Sequence, residues 1–508
     1  MFKNLTFKPF LYFLTPLRSF LFTIKGKNNL YTKAIHAGLW SFSLRAIDQV
    51  FSLIRLVIIA RLLSPSDYGL FGIALLTISV IDTFTQTGIQ SALIQKKKNT
   101  DTYLDTAWTM SLARGFVLFL IILGTAPFSA SFFHSDAAQS IIRVIAVTVL
   151  LQGVSNIGMI YFVKNLRFDK LFLYELCGTF AEFAVAITSA FLLRNVWALV
   201  YGLLARNIVQ CIISYLISPN KPHISFEKEK AKELFTYGKW ILGSGILSFL
   251  FSQGDDIFVG KFLGITALGL YQMAYRISYL PHTEITSVIS TVSFPIYSKL
   301  QGNTEQLRKA FLKVLFLVVL VVLPVSGGMF FIAHDFTSLF LGQQWLPMVP
   351  AFKILALYNL VLCIGAVAGT LFQGVGKPKM TTQLQFINVV LLAILIYPLT
   401  LRWGIAGTAL AVLLQVIPVN ILAIYLASRL VGSSLRSIAT LVGIPFVSTS
   451  IMLIVLSLTR IFILPSVSFL SFAFFLLIGI VSFTVSIVTL GKIFHYDIIS
   501  FLIQKKQM

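Results

Sequence analysis

The sequence predicts an all-α polytopic membrane protein of about fourteen transmembrane helices: two six-helix lobes related by a pseudo-two-fold, then two C-terminal helices. Composition, the spacing of apolar stretches and an internal repeat carry this reading. Of 508 residues, 57% are hydrophobic and 11% charged, with a mean hydropathy of +0.88. Soluble domains are about 45–50% apolar and 25% charged, so most of this chain is built for lipid. The excess of 40 Lys and Arg over 18 Asp and Glu does not imply nucleic acid. It falls in short runs between apolar stretches, not on a solvated basic domain.

Apolar stretches near 36–62, 70–93, 106–125, 141–162, 171–193, 196–217, 240–262, 270–295, 314–334, 352–372, 382–400, 405–427, 438–459 and 467–490 each approach the roughly 20 residues a bilayer requires. Of the Lys and Arg residues, 28 lie in the termini and the even-numbered connections, 7 in the odd-numbered connections or at the span ends beside them, and 5 deeper within spans. Basic residues collect on the cytoplasmic side. Both termini and loops such as QKKKNTD and VKNLRFDK are therefore expected inside, with the chain in a bacterial inner membrane. Trp40, Trp108 and Trp240 then fall near inner ends, and Trp197, Trp345 and Trp403 near outer ends, as an interfacial belt requires. Residues 1–35 read as a basic interfacial segment, because Pro16 and Arg18 interrupt the apolar part. The longest loop, around 218–239, carries EKEKAKE and predicts a short surface helix.

Residues 38–74 align without a gap on 238–274. Gly38, Trp40, Phe51, Ser52, Leu63, Gly69, Leu70 and Ala74 each meet an identical residue 200 positions later, and Arg61 meets Lys261. Six spans separate the copies, so both insert in the same direction, as in parallel-repeat transporters. The expected units are an N-lobe over 36–217, a cytoplasmic linker over 218–239, a C-lobe over 240–427, and 428–508 as the last two helices and a tail.

A charge at mid-bilayer costs about 2.5–3.5 kcal/mol on insertion scales, so each one needs a partner, a wet cavity or a role. Ser41, Arg45, Asp48, Ser52 and Arg55 share one face of span 1. Two readings fit: a cationic wall for an anionic cargo, with Asp48 holding the arginines, or an ion-pair network that glues span 1 to its neighbours. Arg55 stands opposite Asp255 in the repeat, with Asp256 next to it, so these charges either exchange partners between states or stay fixed. Span 2 carries Ser79, Asp82, Gln86 and Gln90; span 8 carries Arg276, Thr283, Ser287 and Ser290, with His282 and Glu284. Asp82, Asp255, Asp256, His282 and Glu284 are the candidates for coupling to an ion. A structural histidine is the plainer reading of His282. Arg114 and Arg206 complete the cavity candidates, and Glu175 and Glu182, seven apart on one helix face, are their natural partners.

No HExxH, GxSxG, Walker loop or dinucleotide fingerprint competes, so neither an enzyme nor a cofactor is expected. Cys177, Cys211 and Cys363 lie far apart in apolar stretches, which indicates neither a disulfide framework nor a metal site.

The stretch ARLLSPSDYGLFGI (60–73), with APFSASFF (126–133), LFLGQQWLPMVPAFKIL (339–355) and FQGVGKPKM (372–380) in order, resembles the polysaccharide-transporter branch of the MOP superfamily, the Wzx-type flippases. The resemblance covers roughly 33–490. It implies a central cavity opening alternately to each side, and a cargo of oligosaccharide on a polyprenyl diphosphate carrier. It also implies membrane lipids and polysaccharide polymerase machinery as partners, H+ or Na+ as coupling ion, and no nucleic acid. The alternative is a drug or cation antiporter of the same superfamily, whose cavity should favour acidic residues over arginines. A polymerase or ligase would need a large outer loop, and these are short. The sugar itself is not legible.

Overall fold

The computed structural model describes residues 47–85, Leu93, 101–165, 167–218, 220–463 and 467–493. All regular structure among them is helical. The helices are α1 (47–62), α2 (Pro65–Phe84), α3 (Asp101–Phe132), α4 (Asp136–Val154), α5 (Phe168–Leu193), α6 (Trp197–Ile217), α7 (Lys228–Phe262), α8 (Ile265–Leu300), α9 (Thr304–Phe336) and α10 (Val349–Gly374). A 54-residue stretch, Pro378–Val431, follows, then α13 (Leu435–Phe462) and α14 (Phe469–Ile493).

At 1.5 Å per residue that stretch would be about 80 Å long, against a hydrocarbon core of about 30 Å. It folds back instead. Trp403 (φ −127°, ψ 15°) and Gly404 (φ 58°, ψ −139°) break the helix, giving α11 (378–402) and α12 (405–431). The Thr400 and Thr408 hydroxyls bond at 2.8 Å across the reversal. A side chain at Gly407 would overlap the Leu399 carbonyl, so the hairpin closes only with glycine there.

Ten described segments are long and apolar enough to cross a membrane, and this stretch counts as one of them. Splitting it leaves α1, described from residue 47, and α7 and α8, which are more polar than those segments. These three carry Asp48, Arg55, Asp255, Asp256 and Arg276. Each coincides with a stretch the sequence already marks as apolar, at 36–62, 240–262 and 270–295. The fourteen helices thus account for the predicted spans.

The mixed-charge run does not form a separate surface helix. Glu229 to Glu233 are the first turns of α7, which runs unbroken from Lys228 to Phe262. The segment before it is extended and strapped to the start of α3. The backbone N–H groups of His223 and Ser225 donate to Asp105 Oδ1 and Thr109 Oγ1, both at 3.0 Å, and Lys230 Nζ donates to the Thr102 carbonyl at 2.8 Å.

The repeat appears as a two-fold contact between α2 and α8. A Cβ on Gly69 would overlap the Ile265 carbonyl, and one on Gly269 the Pro65 carbonyl, so each contact has its mate 200 residues away. Same-number pairs also touch at successive heights: Gly269 against Gly69, then Gly72 against Gln272. Antiparallel helices would drift out of such register. The two run side by side in one direction, with the pseudo-axis along them.

Helices α13 and α14 lie outside the repeat and attach to the C-lobe. Arg460 near the end of α13 pairs with Asp335 at the end of α9, a carboxylate only 2% exposed. Its guanidinium lies 4.8 Å from the Phe331 ring and 5.3 Å from the Phe475 ring.

Candidate functional site

Helix ends expose unpaired carbonyls, and at the end of the molecule where α1 meets α2 each lobe caps the other's. Gln344 Nε2 donates to the carbonyls of Ala60 (2.8 Å) and Leu63 (3.0 Å), and Trp345 Nε1 to that of Ala60 (2.8 Å). Trp345 is fully buried, edge-on to Tyr68 with centroids 5.2 Å apart. In return Arg61 donates to the carbonyls of Leu339 and Phe340 in the wider turn Thr337–Leu341 that follows α9. The two-fold mate of Arg61 does the same on the other side: Lys261 Nζ donates to the Phe132 carbonyl at 2.9 Å and sits 4.7 Å from its ring. Cations at helix C-termini complement the dipole. Ser64 starts α2 with a reciprocal capping box to Asp67, whose other oxygen accepts from the Val196 N–H at 3.0 Å. Three of the four segments quoted for the family resemblance, at 60–73, 126–133 and 339–355, therefore meet in one interlobe seal. The fourth ends α10, where Gly376 (φ 75°) turns the chain and Gly374 lies against Tyr297.

Behind the seal lies a polar chamber of about 220 Å³, walled by Asp48, Ser52 and Arg55 of α1, Thr179 and Glu182 of α5, Arg206 of α6 and Arg276 of α8, with Phe51 and Phe183. Arg55 pairs with Glu182, their side chains 15% and 14% exposed. Arg206 bridges Glu182 Oε2 at 3.1 Å and Glu175 Oε2 at 3.0 Å, and Gln210 Nε2 donates to the same Glu175 oxygen at 3.0 Å. Asp48 accepts from the Thr179 hydroxyl at 2.5 Å. Arg276 enters from the C-lobe and donates to Ser52 Oγ at 3.2 Å. Among the described residues it has no carboxylate within ion-pair distance, although Asp48 and Glu182 stand in the same wall.

Of the sequence-predicted residues, Arg45 lies outside the described residues, as do Gln86 and Gln90. Asp48, Arg55, Arg206 and Arg276 share the chamber. Arg55 is held by Glu182, not by Asp48, because α1 packs on α5 there through Phe51 against Phe183 and Phe180. Asp255 does not meet Arg55; it is 3% exposed and accepts from the Tyr271 hydroxyl at 2.6 Å. Asp256 follows it with one buried, unpartnered carboxylate oxygen. Arg114 joins α3 to α2 through Asp82 (2.5 Å) and the Thr85 carbonyl (3.0 Å), away from the chamber. His282 lies against Tyr279 with centroids 4.6 Å apart and ring planes tilted by 34°, its Nδ1 3.4 Å from Cys363 Sγ. Glu284 is exposed on α8.

Sequence reasoning missed Thr179, although it shares the i, i+4, i+7 face of Glu175 and Glu182. It also missed Tyr271, Tyr275 and Tyr279, whose four-residue spacing makes an aromatic stripe on α8, with the last two stacked at 5.2 Å. Gln344 and Trp345 lie in the quoted segment 339–355, but nothing in the sequence marked them as caps of the α1 carbonyls.

Residues 58–350 match the profile of a family described as polysaccharide biosynthesis protein. A membrane protein in the cps region of Klebsiella pneumoniae is 24% identical over 86% of this chain and 90% of its own length. The lipopolysaccharide biosynthesis protein WzxC of Escherichia coli (strain K12) is 22% identical over 82% of this chain and 86% of its own. Among solved structures, the lipid II flippase MurJ in an inward closed conformation superposes with a TM-score of 0.74 at 16% identity, covering 91% of this chain and 99% of that one.

Proposed function

From its place in the polysaccharide biosynthesis protein family, to which this chain belongs, we propose that it is a flippase. It carries oligosaccharide linked to a polyprenyl diphosphate from the cytoplasmic to the periplasmic leaflet of the inner membrane, for surface polysaccharide assembly. The relative named for lipopolysaccharide biosynthesis supports the pathway, and the lipid II flippase shares the fold. The proposed orientation places both termini in the cytoplasm, because lysines and arginines crowd the end opposite the seal. The described state is then closed to the periplasm. The proposed moving bodies are the lobes over 36–217 and 240–427, joined by the linker over 218–239.

The observation that carries the reading is Arg276. A C-lobe guanidinium with no carboxylate partner among the described residues reaches across to Ser52 of the N-lobe in a chamber that holds two further arginines. A diphosphate bound there makes charge-assisted bonds to both lobes. Binding energy between lobes is the energy that shifts an equilibrium between states open to either side. Arg55 is a weaker ligand than its position in the sequence suggests, because Glu182 already neutralises it. Cationic drug cargo is opposed by the same arginines. The coupling ion, H+ or Na+, belongs in this reading to carboxylates outside the chamber, foremost Asp255 and Asp256, and polymerase machinery receives the product. The chain moves its cargo without transforming it.

Reconstitution in proteoliposomes with a lipid-linked oligosaccharide tests this. Arg276→Ala is expected to abolish movement and Arg276→Lys to restore it in part, since lysine keeps the charge and loses the planar fork. Wild-type rates in Arg276→Ala at matched protein levels refute the chamber as the diphosphate site. No movement by the wild-type protein refutes the flippase reading.

A further inference from the structure

Between the arginine chamber and the lysine-rich end, the N-lobe lines a second, partly open pocket of about 430 Å³ with mixed polar and apolar walls, within the roughly 300–1,000 Å³ of small-ligand sites. Its working groups come from four helices: Ser111 of α3, Gln152 of α4, Tyr174 and Glu175 of α5, and Asn207 and Gln210 of α6. Polar groups inside a membrane protein are costly unless something meets their hydrogen-bonding capacity. Here the protein meets only part of it. Gln152 Nε2 donates to Asn207 Oδ1 at 3.1 Å, Asn207 Nδ2 to the Leu203 carbonyl at 2.8 Å, and Gln210 Nε2 to Glu175 at 3.0 Å. Each amide spends one N–H on these bonds and carries two, with a two-lone-pair carbonyl besides.

No Lys, Arg or His stands among the described lining residues, and Glu175 is the one carboxylate. That carboxylate already accepts from Arg206 and Gln210, so a cation finds no free charge there. Amide donors and acceptors, an aromatic side chain and, among the described lining residues, no positive charge match the hydroxyls of a sugar. Through Glu175 and Arg206 the pocket shares a wall with the chamber, so one cargo can occupy both.

We infer that this pocket seats a neutral sugar of the cargo, a hexose or N-acetylhexosamine next to the diphosphate, and rejects a uronic acid in that position. The inference rests on the flippase reading for its cargo. A sugar carboxylate there would find no free counter-cation among the described lining residues, since Arg206 behind the wall is already held by Glu175 and Glu182, and an unpaired charge in a poorly solvated site is costly. Neutral hydroxyls instead complete the unused amide bonds.

Saturation-transfer NMR on the full-length protein in lipid nanodiscs tests it, with free glucose, N-acetylglucosamine and glucuronate as probes. Glucose and N-acetylglucosamine are expected to receive saturation and glucuronate none. Gln152→Leu removes one amide and should cut the glucose signal by about 2- to 10-fold. Ser111→Leu fills the pocket and should do the same, which covers the case in which one variant misfolds. Equal saturation of glucuronate and glucose overturns the proposal, as does no saturation of any probe, or an undiminished glucose signal in both variants when they elute as wild type. Movement of lipid-linked cargo is read separately in proteoliposomes. Sugar binding without movement sinks the flippase reading alone, whereas movement without sugar discrimination sinks the pocket alone.

Discussion

Replacing Gly69 by alanine adds one methyl group where the α8 backbone leaves no room. The new Cβ would overlap the Ile265 carbonyl oxygen and crowd its carbon. A backbone carbonyl cannot rotate aside as a side chain does, so α2 and α8 must part or the sealed state must empty. Overpacking of this kind costs about 1–3 kcal/mol. The contact joins the two lobes across the seal, so that state alone bears the cost, and its population relative to the unsealed state should fall by about 5- to 150-fold. Gly269→Ala is the two-fold mate, meeting the Pro65 carbonyl, and should act with the same sign and similar size. One separation of the helices relieves both overlaps, so the double variant should shift the equilibrium by less than the sum. Spin labels at Asp136 on α4 and Arg402 on α11, both exposed and in different lobes, report the seal by pulsed dipolar distance measurement after Cys177, Cys211 and Cys363 are replaced. Gly124→Ala, where nothing lies within 4 Å, is the control. An unchanged distance distribution in both variants, or a shift in one only, refutes the two-fold seal.

Three further outcomes follow from the structure. Gly404→Ala puts a side chain into backbone that only glycine adopts freely (φ 58°, ψ −139°); it should destabilise the protein by about 1–3 kcal/mol, seen as a lower Tm, and an unchanged Tm argues against the α11–α12 reversal. Arg460→Ala strands the buried Asp335 carboxylate and should cost about 3–5 kcal/mol; Asp335→Asn with Arg460→Met should recover most of that, and a double variant as unstable as the single one means the pair is not what fastens α13. Cysteines at Lys97 and Lys221 should resist an impermeant thiol reagent in intact cells and react in inverted vesicles, whereas labelling from outside reverses the assigned orientation.

Local sequence determined the number of helices, because each crossing must satisfy its own backbone in lipid and so needs its own run of about 20 residues. It also determined the two-fold, because identities such as Gly69 with Gly269 survive where a close backbone contact tolerates no side chain. Partners were a different matter. Helical periodicity put Asp48 and Arg55 on one face, but the arrangement of α5 and α6 gave Arg55 to Glu182 and Asp48 to Thr179. Arg276 meets Ser52, 224 residues away in sequence, and the joining of Gln152 to Asn207 in one pocket spans 55. A helix face is a property of neighbours three and four apart, and the sequence carries it. The charge left over in a cavity is a sum over helices that meet only in the folded bundle, so tertiary packing alone decided which of the described arginines has a carboxylate partner and which has none.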